Sequence, residues 1–252
     1  MTTTPPPAGW YPAIDGSNAT WWWDGERWSQ PPAQAQPQQV PVQNPAANAA
    51  IAKLATATQV LLIVCGVISV AIIGTEVFGI IAVGDFLAGG TSSIDMLDAY
   101  DRNTAVTSVL SSVVLIATGV LWAVWQYRAA KTVVGLTRRS PGWHAGSWFI
   151  PVISLWFPFQ NISDLWRAVG RVRPAWSGIW WFLWLACNVV IQMGTRVYLA
   201  AVEIEQFRVA MWLSLIGEVL LVAAVPLAWL VVRGITQGIL ERPAVPAQST
   251  AV

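Results

Sequence analysis

The chain has 252 residues, of which 55% are hydrophobic and only 11% charged, and its mean hydropathy is +0.54. Soluble domains run near ~25% charged, so most of this chain is expected to face lipid. A net charge of +1 argues against a nucleic-acid binder, and one histidine with two cysteines excludes a zinc finger, an iron–sulfur cluster and a disulfide framework.

Residues 1–50 carry no signal-peptide pattern, so the first apolar span is expected to act as an uncleaved targeting signal. Residues 1–30 form a Trp-rich head. Within it Asp24-Gly25 between aromatic runs predicts a two-residue hairpin turn. That register pairs Trp23 with Glu26, Trp22 with Arg27 and Trp21 with Trp28. Trp21, Trp23, Glu26 and Trp28 then share one face, and Trp22 and Arg27 share the other, placed for a cation–π contact. An isolated hairpin is marginal in water, so Trp10, Tyr11 and Pro5-Pro6-Pro7 are expected to pack on it. Trp10, Tyr11, Trp21, Trp23 and Trp28 make a candidate docking surface, the alternative being a self-packed knob. Residues 31–53 read as a disordered linker, because five Pro, five Gln and six Ala between 31 and 50 come without a charge.

The membrane domain, 54–242, contains four segments of the ~20 residues a span needs, at about 57–83, 104–127, 174–195 and 209–232. Residues 148–159 are too short to cross at ~1.5 Å per residue and hold Pro151 and Pro158, which break the backbone ladder. Segment 148–171 is therefore read as re-entrant or interfacial. Four crossings with a cytoplasmic N-terminus place 11 basic residues inside and three outside, namely Arg102, Arg196 and Arg208, as the positive-inside rule asks. A full crossing at 148–159 would destroy that bias. Residues 243–252 are expected to be a disordered tail. The predicted fold class is an all-α polytopic membrane protein with a small N-terminal β-hairpin module.

Trp122, Trp125, Tyr127, Trp176, Trp180, Trp181 and Trp229 all fall near the inner boundary, where they read as headgroup anchors or as a ligand-binding cage. Ile162, Leu165, Trp166 and Val169 recur at helical spacing with Arg167, Arg171 and Arg173 between them. This amphipathic helix, its remaining surface taken by the arginines and Asp164, suits the inner interface, as a strut holding the re-entrant element or as a site for anionic lipid. Glu76 and Glu218 lie inside spans, at similar depth toward the outer side, and Asn188, Gln192 and Arg196 form a polar stripe at i, i+4 and i+8. Intramembrane charges seek partners, so Arg196 and Gln192 are expected to satisfy one or both carboxylates, as a functional site or as glue between helices packed closely through Ser108 and Ser112. Cys65 and Cys187 read as small core residues at different depths. His144 reads as a lone cytoplasmic loop residue, and no serine sits beside a base. No catalytic residue, metal site or cofactor is expected.

Gly9-Trp10-Tyr11-Pro12 and Trp22-Trp23-Asp24-Gly25 with Trp28 resemble a short Trp-rich domain of unknown function found in actinobacterial membrane and secreted proteins. Ala13 and Trp21 depart from its pattern. Residues 54–242 resemble a bacterial four-span membrane domain of unknown function through Trp148-Phe149-Ile150-Pro151, Pro158-Phe159-Gln160 and Leu165-Trp166-Arg167. The two resemblances imply a cell-membrane address and no reaction. Two functions stand beside each other: a membrane-anchored adaptor recruiting a protein partner through the cytoplasmic head, and a carrier or channel component for a small molecule, lipid or ion, requiring a homo-oligomer if it is a pore. The partners expected are anionic lipids at the inner face and an unknown protein or a second copy, with no nucleic acid.

Overall fold

The computed structural model describes residues 6–12, 20–29, 45–91 and 93–242. The chain divides into two compact units, Met1–Val42 and Gln43–Val252. Linker residues 31–44 and tail residues 243–252 lie outside the described residues.

The first unit is a three-stranded antiparallel sheet in the order β1 (Gly9–Pro12), β2 (Thr20–Trp23), β3 (Trp28–Ser29). Its register corrects the expected two-residue turn: Trp23 faces Trp28 and Trp22 faces Ser29, across a four-residue loop. The Asp24 carboxylate causes this. Its Oδ1 accepts the N–H groups of both Glu26 and Arg27 at 2.7 Å, while Asp24 N–H donates to the Arg27 carbonyl at 3.2 Å. An aspartate bonding ahead to the backbone competes well with a tight turn. Glu26 and Arg27 thus sit in the loop, and Trp22 does not face Arg27. Gly25, at φ +106°, supplies the positive φ the loop requires. Pro6 and Pro7 pack as expected, Pro5 lying outside the described residues: Trp23 Nε1 donates to the Pro6 carbonyl at 3.0 Å and the Tyr11 hydroxyl to that of Pro7 at 2.8 Å.

The second unit is helical: α1 (Pro45–Leu87), α2 (Ser93–Thr132), α3 (Pro141–Gly146), α4 (Phe157–Ala168), α5 (Trp176–Ala200) and α6 (Ile204–Leu240). α1, α2, α5 and α6 are long and apolar enough to cross a membrane, and the segment at 148–159 is not among them. α1 begins inside the stretch read as linker. Pro45 pre-sets the first turn, alanine favours the helix, and Ile51 and Ala55 are buried. α1 packs between α2 and α6, and α5 packs on α6, giving the lateral order α2–α1–α6–α5. Ile51, near the start of α1, and Ile239, near the end of α6, share one core. Both ends of the membrane unit therefore lie at the same end of the bundle, the one rich in tryptophan.

The predicted apolar stripe on α4 is real: Ile162, Leu165, Trp166 and Val169 are all buried. It faces protein, with its apolar residues seated against α6. A Cβ on Gly234 of α6 would stand 2.1 Å from Trp166 Cη2, and one on Gly238 would stand 2.7 Å from Val169 Cγ2. Two glycines four residues apart thus let α4 seat directly on the α6 backbone. Ser108 and Ser112 contribute nothing comparable. Both are exposed, and Ser112 donates back to the Ser108 carbonyl at 2.7 Å.

Candidate functional site

At the Trp-rich end the inner-boundary aromatics are mostly core, which corrects the anchor reading for four of them. Trp122, Trp125, Trp180 and Trp181 are buried. Trp122 meets Trp180 at 5.8 Å between ring centroids, Trp148 edge-on at 5.9 Å and Trp125 at 5.4 Å. Trp181 stacks on Trp184 at 5.0 Å and on Phe159 at 5.8 Å. Tyr127 remains exposed.

Above this layer lies a cavity of 430 Å³, within the ~300–1,000 Å³ range of ligand pockets. It is bounded by Trp122, Trp148, Trp180 and Trp184 at one end. Farther along, Thr118, Cys65, Cys187, Asn188 and Gln192 add a polar minority. Cys65 and Cys187 both line this space. Cys65 Sγ lies 3.3 Å from Thr118 Oγ1, and Cys187 Sγ donates to the Trp184 carbonyl at 3.1 Å. Leu115 on the rim is 62% exposed, and Asn188 and Gln192 are exposed too. The cavity therefore opens sideways between α2 and α5. Asn188 stands 12 residues into α5, about 18 Å along the helix axis, so the mouth lies at hydrocarbon depth.

The segment 148–159 closes this cavity from the Trp-rich end. Trp148 Nε1 donates to buried Gln126 Oε1 at 2.6 Å. Val152 adopts φ 68° and ψ −55°, and Ile153 N–H donates to the Pro151 carbonyl at 2.8 Å, a γ-turn centred on a β-branched residue. Pro158 then sits in the first turn of α4, where its missing N–H costs nothing. Asn161, fully buried, ties the neighbouring turns together. Its Nδ2 donates to the Trp143 carbonyl at 3.0 Å and to Ser147 Oγ at 3.1 Å, and its Oδ1 accepts from Arg139 at 3.2 Å. Arg167 and Arg138 both pair with Asp164, the latter at 2.9 Å. The residues of the Trp148–Arg167 block are thus largely structural couplings. Gln126 and Asn161 were missed from sequence, because a lone polar residue near an apolar run has no visible partner, and Asp164, read as a surface charge beside the arginines, is buried.

His144 is fully buried in α3, with no hydrogen-bond partner on either ring nitrogen among the described residues, correcting its reading as a loop residue. Burial pushes its pKa down to about 4; nearby Asp164 opposes the shift and Arg139 adds to it.

The intramembrane polar residues separate into two groups. Glu76 is buried and accepts a hydrogen bond from the Tyr100 hydroxyl at 3.1 Å, with Ser214 also in bonding reach. The Tyr100 ring packs where a Cβ on Gly79 would stand, 2.5 Å away. Glu218, 9% exposed, has Ser69 beside it, and its Oε2 has no partner among the described residues. Arg196 and Gln192 do not join them. Both are exposed, Asn188 Nδ2 turns back to the Trp184 carbonyl at 2.7 Å, and among the described residues neither glutamate makes an ion pair. α5 presents Asn188 and Gln192 to the cavity mouth and Arg196 to the outside, while α1 and α6 bury the glutamates between them.

In the head, alternation is as expected for Trp21, Trp23 and Trp28, and Tyr11 joins them on the better-buried face; Trp23 packs on Trp28 at 4.8 Å. Trp10 lies on the opposite face against Trp22, 5.3 Å away, and is 59% exposed. The five candidate docking residues therefore divide between two faces. The two backbone N–H groups at Asp24, Arg27's first and then Glu26's, hold its carboxyl below the usual range. Among the described residues no group of three His, Cys, Asp or Glu side chains is placed to hold a metal ion.

These features define a polytopic α-helical membrane protein carrying a separate small β module. The chain belongs to the family described as Domain of unknown function (DUF4328), which matches residues 89–237, more than half its length. The matched part runs from the turn after α1 to near the end of α6 and contains the Trp148–Arg167 block. No curated protein matches the chain, and no solved structure does.

Proposed function

We propose that the membrane unit is a non-enzymatic binding module, the core of a carrier, that takes a lipid-like apolar chain from the bilayer into the cavity between α2 and α5. The observation that carries this reading is the sideways mouth at hydrocarbon depth, backed by tryptophan rings and lined by few polar groups. Its solvent is the bilayer, so the chain that fills it is a hydrocarbon one. The intramembrane glutamates lie outside the cavity lining and are hydrogen-bonding struts in this reading.

The test uses nanodiscs of phosphatidylcholine bearing a photoactivatable acyl chain. Annular lipid labels Val109 and Val113 on the exposed face of α2, whereas buried Cys187 and Ala224 are labelled only if a chain enters. Gly119→Phe is the matching control, since Gly119 lines the cavity and a Cβ there meets nothing within 4 Å. The variant should lose labelling at Cys187 and Ala224 and keep it at Val109 and Val113. Wild-type protein unlabelled at the buried positions refutes the proposal.

A second reading, the adaptor, is favoured by the exposed Trp10–Trp22 pair. In it the head recruits a protein partner, and the Trp-rich end of the bundle faces the cytoplasm of the cell membrane. Basic residues concentrated at that end support this orientation. Trp10→Ser in the full chain should abolish partner capture while leaving the Trp23–Trp28 face intact. A reporter fused after Val252 that is active only outside the cell would refute the orientation.

A further inference from the structure

A second pocket, of 710 Å³, lies at the Trp-rich end and is lined by Arg138, Arg167, Arg171 and Arg173 together with Gln160 and Ser163. We propose that it binds the phosphate of an anionic phospholipid headgroup. This goes beyond the chain-binding cavity and stands on different residues.

The four arginines come from three places in the chain that the fold brings together. Arg138 precedes α3, Arg167 is on α4, and Arg171 and Arg173 follow it. Gly170, at φ +76°, ends α4 with Arg171 N–H bonded back to the Trp166 carbonyl at 3.0 Å and Gly170 N–H to that of Arg167 at 2.9 Å. This left-handed cap turns the two following arginines back toward the bundle. Most of these side chains are held in place before any ligand arrives. Arg138 and Arg167 share the single carboxylate of buried Asp164. Arg171 donates to the Gly234 carbonyl at 3.0 Å and pairs with Glu241 at 2.5 Å. The Arg173 guanidinium lies 4.9 Å over the Phe159 ring and makes no ion pair among the described residues.

Charge sets the class of ligand. Four guanidinium groups are answered by two carboxylates, Asp164 and Glu241, so the pocket keeps a surplus of two positive charges. Guanidinium forks match phosphate oxygens. A zwitterionic headgroup would bring its own cation into a positive pocket, whereas phosphatidylglycerol would not. Position sets the source. Arg173 is the last charge before the 22 uncharged residues that begin at Pro174. It rests on Phe159, whose ring stacks on Trp181 near the start of α5. A phosphate held there sits where a lipid phosphate sits, with its chains running along the apolar helices.

The test is native mass spectrometry of the full chain, extracted from nanodiscs made of equal parts phosphatidylglycerol and phosphatidylcholine. Wild type should retain phosphatidylglycerol in preference, and Arg173→Gln should weaken that preference about fivefold, the worth of one interfacial charge. Arg173→Lys, which keeps the charge, should retain most of it. Arg196→Gln with Arg208→Gln, at the opposite end, should change nothing, and neither should Gly119→Phe. A preference lost equally in the opposite-end variant, or absent in wild type, overturns the proposal. So does displacement of phosphatidylglycerol by millimolar inorganic phosphate, which would assign the pocket to a soluble anion. Loss of chain labelling in Gly119→Phe with the headgroup preference intact separates the two proposals.

Discussion

The indole N–H of Trp148 donates across 2.6 Å to Oε1 of Gln126, a residue with no exposed surface. This bond joins the broken segment to the end of the uncharged stretch of α2 that runs from Asn103 to Tyr127. It holds the Trp148 ring edge-on against Trp122, Trp181 and Trp184. Gln126→Leu should therefore leave the indole without its acceptor inside the core, costing about 1–3 kcal/mol. Thermal unfolding in detergent should show the loss, with a red shift of tryptophan emission before global unfolding. An unchanged melting temperature would mean that the ring packing alone holds Trp148.

Gly234 is where α4 rests its largest side chain. A methyl group there would overlap the Trp166 ring, and overpacking of this kind costs about 1–3 kcal/mol. Gly234→Ala should lower the melting temperature, and Gly234→Ala with Trp166→Leu should recover part of the loss. Gly119→Ala, at a glycine whose Cβ meets nothing within 4 Å, is the neutral comparison.

Val152 holds a positive φ that a β-branched side chain tolerates poorly. Such strain costs of order 1–3 kcal/mol, and the side chain is largely exposed, so little packing compensates. Val152→Gly should leave stability unchanged or raise it by about 1 kcal/mol after the entropic cost of glycine. Val152→Ala, which keeps a Cβ at the same φ, should give no such gain. A clearly destabilised glycine variant would refute this account of the turn.

His144 ties stability to pH. Its folded pKa, about 4, lies below the ordinary 6.5. As pH falls below 6.5 the unfolded chain takes up a proton that the folded chain refuses. The native state therefore loses stability progressively between pH 6.5 and about 4, and the contribution is intact above 6.5. Because both ring nitrogens lack partners, His144→Leu should be tolerated at pH 7.5 and should flatten the pH dependence between 6.5 and 4. A variant whose melting curve keeps the wild-type slope in that window would refute the assignment.

Much of the architecture was legible in the residues alone, because a membrane span is a one-dimensional property. Twenty or so uncharged apolar residues read as a crossing whatever surrounds them, so α1, α2, α5 and α6 were visible, and so was the failure of 148–159 to cross. The stripe Ile162, Leu165, Trp166 and Val169 was visible for the same reason, since helical periodicity is local. What covers that stripe depended on Gly234 and Gly238, some seventy residues away, whose missing side chains create the seat.

Only the tertiary structure decided the partners. Glu76 found Tyr100 where Arg196 was expected, because the rotation of α5 about its axis sets which of its faces meets α6, and no local pattern encodes that angle. The inner tryptophans became a core for a related reason: α3, α4 and the turns around them cover that end of the bundle, so rings that would otherwise meet headgroups meet one another. Even the short turn at Asp24 was settled by competition, its carboxylate capturing two backbone N–H groups and shifting Trp28 opposite Trp23. Composition and spacing determined that this chain crosses a bilayer, and where; long-range packing determined what its polar and aromatic side chains face, and so where a ligand can sit.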